Sequence, residues 1–579
     1  MFRKFCAVLT LSALYLTGCG STGYGPAGTL NNPTAPTPVS VPPSTAIQHI
    51  VVIFGENISF DHYFGTYPNA ANTGGTTFTA TSGTPVPNNY ISNPSLLTAN
   101  PNLTAANGTS AANPFRLGPG QAGTNDQNHN YGPEQAAFDG GKMDLFPVSV
   151  GVADTTAQVT ETAAPGIAGT TALNMGYYDV NTVTAMWNYA QHYALNDHSF
   201  GTTFGASTQG AINLVSGQTN GAIASSGAAG GVVPDGSGGF TLVSDEDPTG
   251  DVCSSATATV QMTGKNIGDL LNTAKLTWGF FAGGFNLSIP GPAVPGAAVG
   301  GGLGCTAGET TPASRYSGAV NIPGNPLKAD YIPHHEPFQY YASTANPTHI
   351  RPASGVAFGA VADTGATTAN HQYDSLDFPT ALASNALPAV SFIKAPGIQD
   401  GHGGYSDPLD EQTFVVSTIN AIEASPYWST TAIIIAYDDS DGWYDHLHNI
   451  INGSQTTADV TTTGAVCSVP AVFTGVATSN PVQGRCGFGP RLPLMVISPW
   501  AKANSIDSTV TDQSSVTRFI EDIFLSSQRI GNGSSDATAG TLMNMFNFTT
   551  TAGVLPNPTP LYLSPTTGAV CSPTTAPCK

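Results

Sequence analysis

Two strongly apolar runs in this sequence end in acid. "HIVVIF" leads through Gly55 into Glu56-Asn57, and "TAIIIAY" leads into Asp438-Asp439, followed by Asp441, Asp445 and His446. Neighbouring carboxylates raise one another's pKa and are unfavourable at a buried strand end unless a cation compensates them. Carboxylate and amide oxygens are also the donors that hard divalent ions take. "DDSDG" by itself is equally good turn chemistry. Two acidic ends in one sheet tip the balance toward a shared metal site. Such ligands suit one Ca, Mg, Mn or Fe ion better than Zn, which takes more histidine.

The third piece is Ser207, in "SFGTTFGASTQGAINLVSG". A hydroxyl at a helix N-terminus lies among free backbone N–H groups and the positive end of the helix dipole, an environment that binds anions and can favour an alkoxide. Capping the helix is the commoner use of such a serine, so its chemistry depends on a metal nearby. Four histidines in Gly/Pro-flanked loops complete the set: His129 in "DQNHNYGPEQ", His334-His335 in "YIPHHEPFQYY" and His402 in "DGHGGYSDP". Histidines so placed either sit solvated on the surface, or donate hydrogen bonds to phosphoryl oxygens and protonate a leaving group.

Short, wholly apolar runs must position these groups. "HIVVIF", "LTWGFFAG" (276–283), "PAVSFI" (388–393), "TAIIIAY" (431–437) and "LPLMVISP" (492–499) read as strands buried on both faces, as in parallel sheets. Helical patterns alternate with them at 182–195, 210–217, 264–274, 411–425 and 514–527. That alternation predicts a doubly wound α/β sandwich, whose sites gather at the carboxyl ends of the strands.

Charged residues make up only 9% of the 579 residues, and the net charge is -21. Sixteen Lys+Arg in the whole chain cannot supply the basic stripe that a nucleic acid partner needs. An anionic substrate would have to be neutralised by something other than Lys or Arg, and a metal ion is the natural candidate.

The start "MFRKFCAVLTLSALYLTGC" has Arg3 and Lys4, then an apolar stretch too short to span a bilayer, then Leu16-Thr17-Gly18-Cys19. This reads as a lipoprotein signal over 1–18, with Cys19 lipidated. Residues 19–46 are expected to be a disordered Pro/Thr/Ser-rich tether. The chain is thus expected outside the cytoplasm, anchored to a membrane in the periplasm or at the cell surface, or secreted if Cys19 carries no lipid. Six later cysteines suit an oxidising compartment. Sequence neighbours would pair as Cys253–Cys305, Cys467–Cys486 and Cys571–Cys578, although spacing leaves other connectivities open. A catalytic domain is expected over 47–549, with surface insertions at about 69–125, 220–250 and 284–325, and a Pro/Thr-rich tail over 550–579.

At the chemistry-bearing residues the chain resembles a known family. "ENISFDHYFGTYP", "DQNHNYGPEQ", "FGASTQG", "HHEPF", "DGHGGYSDP", "YDDSDGWYDH" and "GFGPRLPLMVISPW" are similar, in order, to the bacterial phosphoesterase family of acid phosphatases and non-haemolytic phospholipases C. "MTGKNIGDLLNTAKLTWGFFAGGF" (262–285) is most similar to the acid phosphatase branch. The resemblance runs from about 48 to 548. It implies an alkaline-phosphatase-like three-layer sandwich with a central, mainly parallel sheet. It implies that Glu56, Asn57, Asp438 and Asp439 hold a metal, that Ser207 is the nucleophile, and that His129, His334, His335 and His402 surround the phosphoryl group. Two departures stand out. Ile58 occupies a position that is usually polar, and Ala206-Ser207-Thr208-Gln209-Gly210 replaces the usual Pro-Ser-x-Pro-Asn. The implied activity is hydrolysis of small phosphate monoesters through a phosphoserine. A phospholipase C acting on phosphodiester lipids is the second expectation, and an inactive surface-anchored binding protein on the same fold is the third.

Overall fold

The β-branched runs form the sheet that the sequence predicts. In the computed structural model, which describes residues 38–151, 171–235, 238–288, 305, 329–449 and 487–571, eight strands make the main sheet. They are β1 (His49–Gly55), β2 (Ala194–Asn196), β3 (Trp278–Ala282), β4 (Gln372–Asp374), β5 (Val390–Lys394), β6 (Thr431–Tyr437), β7 (Leu494–Ile497) and β8 (Ser505–Asp507). Their order is β4-β3-β5-β1-β6-β7-β2-β8. Every neighbouring pair is parallel except those made by β7, which runs against both β6 and β2. β1 and β6 are buried along almost their whole length. Each Ile or Val they remove from water contributes roughly 1.5–3 kcal/mol.

The main helices are α1 (Phe60–Phe64), α2 (Tyr131–Phe138), α3 (Thr184–His192), α4 (Ser207–Ser216), α5 (Ile267–Ala274), α6 (Pro408–Glu423) and α7 (Gln513–Phe524). Their ends follow local chemistry. The Asp407 carboxylate accepts from Leu409 N and Asp410 N ahead of Pro408, which starts α6. Asp512 caps α7 in the same way. α4 packs on α7, and α3 on α6. The α/β class with a mostly parallel sheet is therefore as expected.

Several expectations change. The helix predicted over 182–195 stops at His192, because Ala194–Asn196 is drawn into the sheet between β7 and β8; strand pairing overrides helical periodicity there. The run 492–499 yields β7, which is antiparallel. Segment 69–125 is packed rather than loose: the buried Asn89 amide donates to Phe64 O and Tyr67 O, both at 2.7 Å. Segment 220–250 folds into small ribbons, Ala222–Ala224 against Thr259–Met262 and Val232–Pro234 against Phe240–Leu242.

The tether expected to be disordered over 19–46 is ordered at its described end, and the Pro/Thr-rich tail packs on the domain. Pro38–Ser40 pairs antiparallel with Thr549–Thr551. Leu563 is buried, its carbonyl accepting from the Asn420 amide of α6 at 2.8 Å. Cys253 is bonded to Cys305 as expected. Cys571 is also disulfide-bonded, and its partner lies outside the described residues, as do Cys467, Cys486, Cys578, the signal segment, Cys19 and nearly all of insertion 284–325. Among the described residues no helix is long and apolar enough to cross a membrane.

Candidate active site

β1 and β6 are neighbours with Gly55 opposite Tyr437, so Glu56-Asn57 and Asp438-Asp439 meet at one carboxyl edge of the sheet. Both following turns use the left-handed region: Asn57 has φ 58° and Asp441 has φ 54°. Such conformations are uncommon outside glycine and persist where surrounding contacts enforce them. Those contacts are present. Asn57 N donates to Asp438 Oδ1 (3.0 Å), Ile58 N to Asp439 O (2.9 Å) and Asp441 N to Asp439 Oδ1 (2.6 Å). Position 58 thus contributes its backbone, while its side chain is buried in the core.

α4 delivers the hydroxyl. The helix begins at Ser207 with Ala206 as its cap residue, so Ser207 does not spend its oxygen on capping. Its Oγ lies 3.1 Å from Glu56 Oε2 and 3.1 Å from Asp439 Oδ2. The helix can come this close because position 210 is glycine. A Cβ there would stand 2.1 Å from Asp438 O, which gives the departure from Asn at that position a steric reason.

Other groups converge from neighbouring strands and loops. Lys394, the last residue of β5, pairs through Nζ with Glu56 Oε1 and lies 3.9 Å from Asp438 Oδ2. His335 Nδ1 is 3.2 Å from the same Glu56 Oε1. His402 Nε2 reaches the Asn57 carboxamide at 2.9 Å when the amide oxygen is turned toward it. His129 Nδ1 is 3.2 Å from Asp441 Oδ1 and 3.5 Å from Asp126 Oδ1. His334 turns to Asp247, with Nδ1 3.4 Å from Oδ1, and meets the scene through its edge-on contact with His335. Glu134 of α2 ties two loops together: its carboxylate accepts from Gly205 N (2.8 Å) and from Ser440 Oγ (2.9 Å).

Lys394, Asp126 and Glu134 are not among the expected site residues, and the Lys394 ammonium is spent on Glu56. The apolar run 388–393 ends in Lys394 as "HIVVIF" ends near Glu56, with the sign of the charge reversed. Asp445 and His446 do not join Ser207. They form a separate buried network with Asp61 and Arg491, in which Arg491 Nε reaches Asp445 Oδ1 and Nη2 reaches Asp61 Oδ1, both at 3.0 Å.

The electrostatics of the centre are short of positive charge. Burial, then the charge of Asp438, hold Glu56 well above the usual carboxylate range against the pull of Lys394. Burial and Asp438 do the same to Asp439, opposed by His129. For His129, burial works against the proton but is outweighed by Asp439, Asp441 and Asp126, and its pKa stands well above the ordinary value. Burial and Asp441 push Asp126 up to about 7. Lys394 is lowered by burial and raised more by Glu56, Asp438 and Asp400.

These residues fit a cation. With its oxygen accepting from His402 Nε2, the Asn57 amide donates to Glu56 Oε2 (2.7 Å) and Asp438 Oδ1 (3.3 Å). Asp438 Oδ2 and Asp441 Oδ2 are buried without a hydrogen-bond donor. Buried carboxylate oxygens without a donor are tolerated where positive charge lies beside them. Among the described residues three groups are close enough to hold an ion: Asp126/His129/His402/Asp441, Asp251/Cys253/His349 and Asp61/Asp445/His446. Cys253 is taken by a disulfide, and Arg491 already neutralises the third group. The first adjoins the Glu56–Asp439 cluster, since Asp441 N bonds Asp439.

Comparison with known proteins follows this geometry. Residues 47–525 match the model of the Phosphoesterase family. The chain is similar to a non-hemolytic phospholipase C of Pseudomonas aeruginosa, 33% identical over 175 residues, covering 29% of this chain and 24% of that protein. A non-hemolytic phospholipase C of Burkholderia pseudomallei is 32% identical over 180 residues, covering 30% and 25%. Phospholipase C A of Mycobacterium tuberculosis is 28% identical over 174 residues, covering 30% and 32%. The matched segments thus span 24–32% of these relatives' length.

Proposed function

The chain belongs to the Phosphoesterase family, and on that footing we propose that it hydrolyses phosphate esters, monoesters foremost, by displacement on Ser207. One observation carries this: a hydroxyl at the start of a helix lies 3.1 Å from two buried carboxylates on different strand ends, Glu56 and Asp439. Ser207 Oγ attacks phosphorus as its proton passes to Asp439 or Glu56. The bond to the alcohol breaks, and that oxygen takes a proton from a histidine. His335, held on Glu56, and His402, at Asn57, are the closest candidates, with His334 behind them. Water then cleaves the phosphoserine and releases orthophosphate. Thr208 N at the start of α4 is already taken by Asp245 Oδ1 (2.9 Å), so the His129 imidazolium stabilises the charge that develops on the equatorial oxygens.

Glu56, Asn57, Asp438 and Asp439 would hold one divalent cation, which supplies Lewis-acid stabilisation of phosphoryl oxygens when bound. Oxygen donors favour Ca, Mg, Mn or Fe over Zn. Export and attachment through a lipid on Cys19 belong to the same reading, with small phosphate esters as substrates and no nucleic acid partner.

A phospholipase C acting on phosphodiester lipids is the second reading, supported by the names of the relatives above. The same side chains serve both, so the assay decides: a soluble aryl phosphate against phosphatidylcholine vesicles. For the shared chemistry, Ser207→Ala should lower kcat on the preferred substrate by at least about 100-fold. A rapidly quenched wild-type reaction should leave phosphate on the peptide containing Ser207. Near-full activity in the variant would reject the nucleophile.

A further inference from the structure

Lys394 is a cation built into the place where a metal site keeps its anions. Its ammonium contacts Glu56 Oε1 and lies 3.9 Å from Asp438 Oδ2, and the residue is only 3% exposed. The Nζ also sits 5.0 Å from the centre of the Phe54 ring of β1, so the ammonium has an aromatic face as well as the carboxylates. Strand pairing fixes the rest: β5 is hydrogen-bonded beside β1, with Ile393 opposite Ile53.

The oxygens of the two carboxylates are divided accordingly. Glu56 gives Oε1 to Lys394 and His335 and turns Oε2 to Ser207. Asp438 gives Oδ1 to the N–H groups of Asn57 and Asp439 and keeps Oδ2 without a donor. Glu56 therefore has only Oε2, shared with Ser207, to offer an ion, and a bidentate clasp is closed to it. The Lys394 ammonium offsets one of the negative charges that Glu56, Asp438 and Asp439 carry when ionised.

We propose that the Lys394 ammonium is a resident cation of this active site, taking the seat beside Glu56 and Asp438 that a second metal ion would occupy. The site then accepts one divalent ion and holds it more loosely than its carboxylates alone would. Unlike a second metal, this charge cannot leave with the phosphate product. The proposal rests on the metal-ligand assignment made under Proposed function.

The test is a calorimetric titration of the metal-stripped full chain with Mn2+ and with Ca2+, comparing wild type, Lys394→Met and Lys394→Arg. Removing a buried unit charge a few ångströms from the ligands is expected to tighten binding of the ion by at least about 10-fold, or to admit a second equivalent. kcat on an aryl phosphate should fall at the same time. Lys394→Arg keeps the charge and should bind within about 3-fold of wild type. If Lys394→Met does not fold, Glu56→Gln is compared with Glu56→Gln/Lys394→Met, and the double variant should bind the ion more tightly. Unchanged or weaker binding at one equivalent in either comparison overturns the proposal and makes Lys394 a prop for Glu56. A wild type that binds neither ion overturns the metal-ligand assignment instead.

Discussion

Glu134 is the side chain whose removal should separate positioning from chemistry. It touches neither Ser207 nor an expected metal ligand. Its two oxygens join the loop that precedes the nucleophile, through Gly205 N at 2.8 Å, to the loop that follows the acidic pair, through Ser440 Oγ at 2.9 Å. Gly205 has φ 116°, a conformation with no stiffness of its own, two residues before Ser207. Burial raises the Glu134 pKa to about 7, although both hydrogen bonds favour the ionised form. Hydrogen bonds to a buried charged group are worth roughly 1.5–3 kcal/mol each. Glu134→Ala leaves both donors unsatisfied and opens a void. If about 3 kcal/mol of that loss is felt in the placement of Ser207, kcat falls about 100-fold. KM for a soluble aryl phosphate should stay within about 3-fold.

Glu134→Gln is the control. Its carbonyl can still accept from Gly205 N, and its amide can donate to Ser440 Oγ, because a hydroxyl both donates and accepts. It should recover most of the rate, to within about 10-fold of wild type. Steady-state kinetics on both variants, with circular dichroism at the assay temperature to establish folding, decide the matter. A folded Glu134→Ala with wild-type kcat refutes the positioning role, and so does a Glu134→Gln as slow as the alanine variant.

Two further outcomes follow from particular contacts. Asp438→Asn keeps an oxygen for the N–H groups of Asn57 and Asp439 but removes a charge, so divalent-ion affinity should fall by at least about 10-fold; unchanged metal content by elemental analysis would count against the ligand role. Glu423 is raised from an ordinary 4.5 to about 7 by burial, against hydrogen bonds from Tyr193 OH (2.7 Å) and Leu561 N (3.1 Å). The folded state therefore holds a proton that the unfolded chain releases near pH 4.5, and this contribution is complete below that pH and lost as pH rises through 7. It amounts to about 3 kcal/mol, and Glu423→Gln should remove it: wild type minus variant stability, from urea melts, should decline between pH 4.5 and 7, and a flat difference would refute the linkage.

The acidic pairs were legible because an apolar strand that ends abruptly in carboxylates is a contradiction within the sequence itself. Ser207 was legible as a helix-start hydroxyl, yet the competing role of helix cap could be removed only by the observation that Ala206 takes that position. Lys394 ends its strand in the same way as Glu56 and was passed over, because a cation-poor composition speaks for the whole chain and says nothing of where its few cations go. Asp126 and Glu134 stood in the same motif as His129, but their partners, Asp441 and the 205 and 440 loops, lie far along the chain. β2, β4 and β8 have three residues each, too few for periodicity to register, and exist because a longer neighbour offers an open edge. Segment 69–125 looked like loose surface because its packing is done by asparagines such as Asn89, whose burial is satisfied by specific carbonyls rather than by hydrophobicity.

The two strand-end loops are held together at two places of unlike character. At one end, residues 56–57 and 438–441 meet as carboxylates and an amide around Ser207, an arrangement that needs added positive charge. At the other, Arg491 lies fully buried between Asp61 and Asp445 and also donates to Asp197 O at 3.0 Å. There Asp61 N bonds Asp445 Oδ2 and His446 N bonds Asp61 Oδ2, both at 2.9 Å. Arg491 permanently satisfies its carboxylates, so that end closes the loops whether or not an ion is bound, and the alignment of Ser207 with Glu56 and Asp439 is inherited from the fold. Arginine suits the closed end because its fork donates in several fixed directions at once. The open end carries the Lys394 ammonium on Glu56 and the His129 imidazolium on Asp441, which satisfy part of the acid and leave the rest facing the hydroxyl. A protein with so few cations has put a complete one where geometry must be kept and an incomplete one where an exchangeable ion and a phosphate must come and go.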